Sequence, residues 1–109
     1  MAFKVLEMAL RLDGSLRAPL AMIRRHNRSL EGQMDRALAG VVMQLAESTG
    51  RNGADRTHLV RIAAGSLCEC VAGMRLALGR AYVRDADVAG ALALADQIGA
   101  ILYTLAPRR

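Results

Sequence analysis

Apolar residues recur at intervals of three and four along almost the whole chain, and this periodicity restricts the fold more than any other feature. Such spacing lines up side chains on one face of an α-helix. Four stretches show it, predicting helices over about 3–25, 30–48, 56–81 and 85–105. In the first, Leu6, Ala9, Leu10, Leu16, Leu20 and Ile23 form the stripe. The Asp13-Gly14-Ser15 segment weakens it and Pro19 can kink it, so one bent helix and a break near 13–15 are both compatible with the pattern. Leu30, Met34, Leu38, Val41 and Leu45 line the second, Leu59, Ile62, Ala63, Leu67, Cys70 and Met74 the third, and Val88, Ala91, Ala95, Ile98 and Leu102 the fourth.

The separators are short and polar. Asn27 or Ser29 can cap the second helix and Asp55 or Thr57 the third, because short oxygen-bearing side chains accept hydrogen bonds from free N–H groups at a helix start. Asp85 and Asp87 sit favourably at the positive end of the fourth. Gly65, Gly73 and Gly79 fall inside the third helix, where small residues permit close approach of another backbone. Aromatic residues make up 3% of the chain and apolar residues 53%, mostly the helix formers Ala, Leu and Met with Val and Ile. Four helices, short connectors and 109 residues predict a single all-α domain over 1–109, an antiparallel up-down-up-down four-helix bundle.

The stretch LAGVVMQLA (38–46) is apolar on nearly every side. A bundle helix gives about half its surface to its own core, so the surplus needs another cover, and a second copy of the chain is the commonest one. Ala39, Val42 and Met43 are the candidate interface. Within and after the stretch lie Gln44 and Glu47, and Glu69 stands among apolar neighbours in the third helix. A buried carboxylate must be paired or protonated. Gln44, Glu47 and Glu69, with Ser66 and with Arg61 or Arg75 as cationic partners, therefore read as a buried polar network between helices, or as a ligand or partner site.

No catalytic constellation is present: the sequence has neither a phosphate-binding loop nor a nucleophile elbow nor paired metal ligands at helical spacing. His26 and His58 stand beside arginines near helix ends, the usual setting of a solvated histidine. Cys68 and Cys70 point about 200° apart on a helix, so they neither pair nor share a metal. No enzyme activity and no cofactor is expected. No apolar run reaches about 18 residues and nothing at the start resembles a signal peptide, so no membrane span is expected and the cytoplasm is the default compartment.

The net charge is +5, and Lys4 is the sole lysine beside the arginines. The excess concentrates before residue 29, where Lys4, Arg11, Arg17, Arg24, Arg25 and Arg28 face Glu7 and Asp13 alone. In IRRHNR (23–28), arginines at a helix end are suited to gripping phosphates through forked, charge-assisted bonds. No aromatic residue is interleaved, so base stacking is not expected, and any nucleic-acid binding would be directed at the backbone.

The segment SLEGQMDRALAGVVMQLAESTGRNGADRTHLVRIAAGSLCEC resembles the four-helix-bundle family of 23S rRNA intervening-sequence proteins, to which accessory proteins of diversity-generating retroelements are related. Gln33, Arg36 and Ala37, then Leu45, Ala46, Glu47, Gly50 and Arg51, then Arg61, Ala64, Gly65, Ser66 and Glu69 match the family pattern in order and spacing. Gln44 stands where the family has Asn, and Ser48 where it has Gly. The resemblance implies a homopentameric barrel, no enzyme activity, and, after the retroelement members, an adaptor for a reverse transcriptase and nucleic acid. Two readings follow. One is an oligomer that engages RNA or DNA backbone through Arg24, Arg25, Arg28 and Arg51. The other is an oligomeric scaffold that docks a protein and no nucleic acid.

Overall fold

A computed structural model describes residues 2–107, with five helices and no strand among them. They are α1 (Ala2–Ser15), α2 (Arg17–His26), α3 (Arg28–Ser48), α4 (Gly53–Gly79) and α5 (Asp85–Leu105). The expected first helix is thus two. Pro19 has no N–H to give to the Ser15 carbonyl, and its ring crowds that carbonyl. The helix breaks at Leu16, one residue beyond the Asp13–Ser15 segment, where φ is −98° and ψ −2°. The Leu16 amide bonds both Leu12 O and Asp13 O, at 3.1 and 3.2 Å, and Leu20 N to Leu16 O at 2.9 Å resumes the regular ladder.

The connectors reverse the chain in few residues. Between α2 and α3 there is only Asn27, whose extended backbone (φ −156°) ends one helix and whose side chain accepts from Leu30 N at 2.9 Å to start the next. Asn27 is therefore the cap, and Ser29 lies inside α3. The α4 start lies earlier than expected, at Gly53 (φ +58°) after Asn52, so neither Asp55 nor Thr57 caps it. Thr57 bonds back to Gly53 O at 3.1 Å instead. At the far end of α4, Tyr82 N bonds Ala77 O and Ala81 N bonds Leu78 O, the paired closure of a Schellman motif. The left-handed position in it (φ +60°) is filled by Ala81, where glycine is the usual residue. Asp87 starts α5 by accepting from Arg84 N at 2.8 Å.

In cross-section the α1–α2 pair is followed by α3, α4 and α5, and α1 closes the circuit by packing on both α3 and α5. Leu12, Leu16, Ile23, Leu38, Leu45, Ile98 and Leu102 meet along the axis and are all but fully buried. The inner stripe of α1 is Val5, Met8, Ala9 and Leu12, so Leu10 points to solvent; on α4 Val60 turns inward and Ile62 outward. Both phases differ from the sequence expectation because each segment is apolar on adjoining faces. α4 leaves room for α3 at Gly73, where an added Cβ would meet the Met34 thioether, its sulfur at 2.8 Å. Gly65 and Gly79, also expected to mark tight contacts, have open space in front of them. α4 and α5 are each long and apolar enough to cross a membrane by length and composition, which the search for an unbroken apolar run missed. Here they turn Val60, Ala63, Leu67, Cys70, Val88, Ala91, Ala95 and Ile98 into the common core.

Cys68 is exposed and Cys70 buried, as their spacing requires. Burial, and secondly the Glu69 charge, push the Cys70 thiol up to about 11 from 9.0. Ellman's reagent at neutral pH should consequently titrate Cys68 in the folded chain and Cys70 only after denaturation. Between pH 9.0 and about 11 the unfolded chain loses the Cys70 proton while the folded chain keeps it, so stability should fall as pH rises through that window. Urea titration should show Gly73→Ala destabilised by about 1–3 kcal/mol through overpacking. Ala81→Gly should be stabilised by up to about 1 kcal/mol through relief of the left-handed strain.

Candidate nucleic-acid interface

The chain reverses between α2 and α3, between α3 and α4 and between α4 and α5, so the α2–α3 and α4–α5 connectors lie at the same end of the molecule. This brings His26 and Asn27 against Tyr82, residues far apart in sequence. The His26 and Tyr82 rings are stacked, with centroids 4.9 Å apart and planes 6° from parallel. Side-chain hydrogen bonds with Arg80 first, and with Asn27, hold the Tyr82 phenol below its ordinary value of 10.0. Tyr82 packs against the core with its ring partly buried, whereas His26 is exposed.

The same end carries Arg24, Arg25 and Arg28 from the α2–α3 corner, and Arg80 and Arg84 from the α4–α5 connector. Arg24 lies 3.6 Å from Glu31 and Arg84 3.7 Å from Asp87. Among the described residues Arg25, Arg28 and Arg80 form no ion pair with a carboxylate. The end is therefore an arginine cluster built from two distant pieces of chain, with two rings in it. Base stacking was not expected because the arginine run contains no aromatic residue. The signal that reveals Tyr82 is topological: in a chain that reverses at the α2–α3, α3–α4 and α4–α5 connectors, the first and last of these share an end.

Arg51 does not belong to this cluster. It follows the other end of α3, about 30 Å away at 1.5 Å per helical residue. There it is paired with Glu47 at 3.5 Å and Asp55 at 3.1 Å, so its charge is already met. The expected four-arginine set is split accordingly, and Arg24, Arg25 and Arg28 alone share the site.

The polar network also resolves differently. Ser66 Oγ donates to Gln44 Oε1 at 3.2 Å between α3 and α4, beside Gly40. Glu47, Arg61 and Glu69 are at the surface instead of in the core, Arg61 donating to the Pro107 carbonyl at 3.2 Å. Each lies on the outer face of its helix, beside exposed Ala46, Ile62 and Cys68 as well as buried Val60 and Cys70. The buried polar side chain is Ser48, whose hydroxyl donates to Leu45 O at 2.7 Å.

Of the candidate interface residues, Met43 is 68% exposed, Ala39 is exposed, and Val42 is half-buried against the core. A second apolar surface, which the sequence did not announce, is a groove of about 920 Å³ between α4 and α5. Ala64, Gly65, Ala72, Gly99 and Ala100 form part of its lining, with Cys68 and Tyr103, and Arg61, Arg75 and Asp96 supply its charges. Small residues on both helices leave this trough unfilled.

Residues 4–104 match the 23S rRNA-intervening sequence proteins. The chain belongs to that family. No curated protein sequence matches it. The fold of this 23S rRNA-intervening sequence protein is similar to a crystal structure from Bacteroides thetaiotaomicron, of a protein with unknown function from the S23 ribosomal protein family. The TM-score is 0.79 over 98% of both chains, at 15% identity. Two sequences this different share the helical fold.

The hydrogen bonds at Tyr82 give a spectroscopic check. In a Tyr103→Phe variant, ultraviolet titration should place the remaining phenol below 10.0, and Arg80→Ala should move it upward.

Proposed function

We propose that this chain is a non-enzymatic, homo-oligomeric binding module that holds RNA or DNA by the phosphate backbone at the end formed by the α2–α3 and α4–α5 connectors. The observation that carries this reading is the convergence there of Arg25, Arg28 and Arg80 without carboxylate partners. Arg24 and Arg84 add charge at the edges. Forked guanidinium bonds suit phosphate oxygens and carry little sequence information. In this reading α1 and α2 act as one bent rod, so that five helices make an antiparallel four-rod bundle.

Self-assembly is supported by two apolar surfaces on different sides of the chain, the Met43 face of α3 and the α4–α5 groove. Unlike patches on one subunit make a head-to-tail contact, which closes into a ring when the rotation permits. A ring of five is the assembly that the family resemblance implies, and it would concentrate the arginine ends into one field. After the retroelement accessory proteins, a reverse transcriptase is the proposed protein partner. The size of the α4–α5 groove favours a second reading, a scaffold that docks a protein there and binds no nucleic acid.

Native mass spectrometry of protein purified at low salt distinguishes these readings. A five-fold mass carrying nucleic acid is the expected result, and a clean five-fold mass would favour the scaffold. Phosphate binding should weaken log-linearly with salt, and Arg25→Ala with Arg28→Ala should flatten that slope by about two units. Met43→Asp should split the oligomer without loss of helicity, because the side chain is already in water in the single chain. An intact oligomer would remove that face from the interface. Assembly through the groove should also slow the reaction of Cys68 with thiol reagents.

A further inference from the structure

The His26–Tyr82 stack is more than a corner contact. Tyr82 is packed on the core, and its ring lies parallel to that of His26. His26 is the last residue of α2, fixed by the Asn27 N to Ile23 O bond at 2.8 Å. With Tyr82 against one face of its ring and its side chain exposed, His26 turns its remaining surface to solvent. A flat ring backed by a second ring, exposed to solvent and with arginines to either side in the chain, is the arrangement on which an unpaired nucleobase stacks while its phosphates meet guanidinium groups.

We infer that His26, backed by Tyr82, is a stacking platform for one unpaired base, so that this end selects single-stranded over duplex nucleic acid. The inference rests on the phosphate-binding reading above and adds the form of the nucleic acid to it. A base inside a duplex has both faces covered by its neighbours and cannot join the column. Phosphate contacts alone do not make that distinction.

The test compares fluorescein-labelled dodecathymidylate with a labelled duplex of the same length, by fluorescence anisotropy at one fixed low salt concentration. His26→Ala should weaken single-strand binding about tenfold and change duplex binding less than about twofold. His26→Phe, which keeps a flat ring, should restore most of the single-strand affinity. The salt slope of His26→Ala should stay that of the parent chain, since no phosphate contact is removed. Far-UV circular dichroism and the thermal midpoint of each variant verify that the exposed substitution leaves the fold intact. Equal loss on both probes, or no loss on the single strand, would overturn the platform. If Arg25→Ala with Arg28→Ala abolishes binding to both probes while His26→Ala is neutral, the phosphate reading stands and the platform falls. If the parent chain binds neither probe, both fall.

Discussion

Everything at the arginine end depends on how tightly α3 and α4 are joined. Gly73 lets the Met34 side chain lie where a larger residue would place its Cβ, and Gly40 does the same for Ser66 further along the pair. Two contacts, one toward the arginine end and one at mid-length, fix the register of two long antiparallel helices. That register decides which residues of the α2–α3 and α4–α5 connectors come level. Were α4 to slide by one turn, about 5.4 Å, Tyr82 would leave His26. The interior is packed as densely as a crystal, so the site inherits its geometry from apolar contacts that never touch a ligand.

The helices were legible because a three-and-four spacing survives in Ala- and Leu-rich sequence, and Asn27 as a cap because its chemistry is local. The break at Leu16 was half legible: Pro19 announces a disturbance, but its effect falls three residues earlier. Phase was harder. Leu6 and Leu10 compete with Val5, Met8 and Leu12 for the inner face of α1, and only the neighbouring helices decide between them. Glu47 and Glu69 were misplaced for a related reason. An apolar neighbourhood in sequence does not imply burial when much of it is Ala and Gly, which face water at little cost. Ala81 gave no sign of its left-handed backbone, since the residue that usually announces one is glycine.

The arginine end divides along the same line. Arg24, Arg25 and Arg28 are contiguous and were found by charge. Arg80 and Tyr82 were not, because their relevance comes from topology. Arg51 looked equivalent to the others as a residue type, yet two carboxylates one turn away on either side meet its charge. Counting arginines overstates a basic surface wherever acidic residues stand at helical spacing beside them.

The break at Leu16 has a consequence for how the molecule comes apart. α2 is tied to α3 through a one-residue joint, whereas α1 is tied to α2 through a position with weakened helical bonding and packs on both α3 and α5. α1 therefore serves as a clasp across the α3–α5 seam, and α5 is otherwise held by α4 along a loosely filled trough. Opening the clasp needs no disruption of the α3–α4 pair. The α3–α4 hairpin that carries the arginine corner is thus packed more closely than the flank formed by α1 and α5, and separating that flank would bare apolar surface.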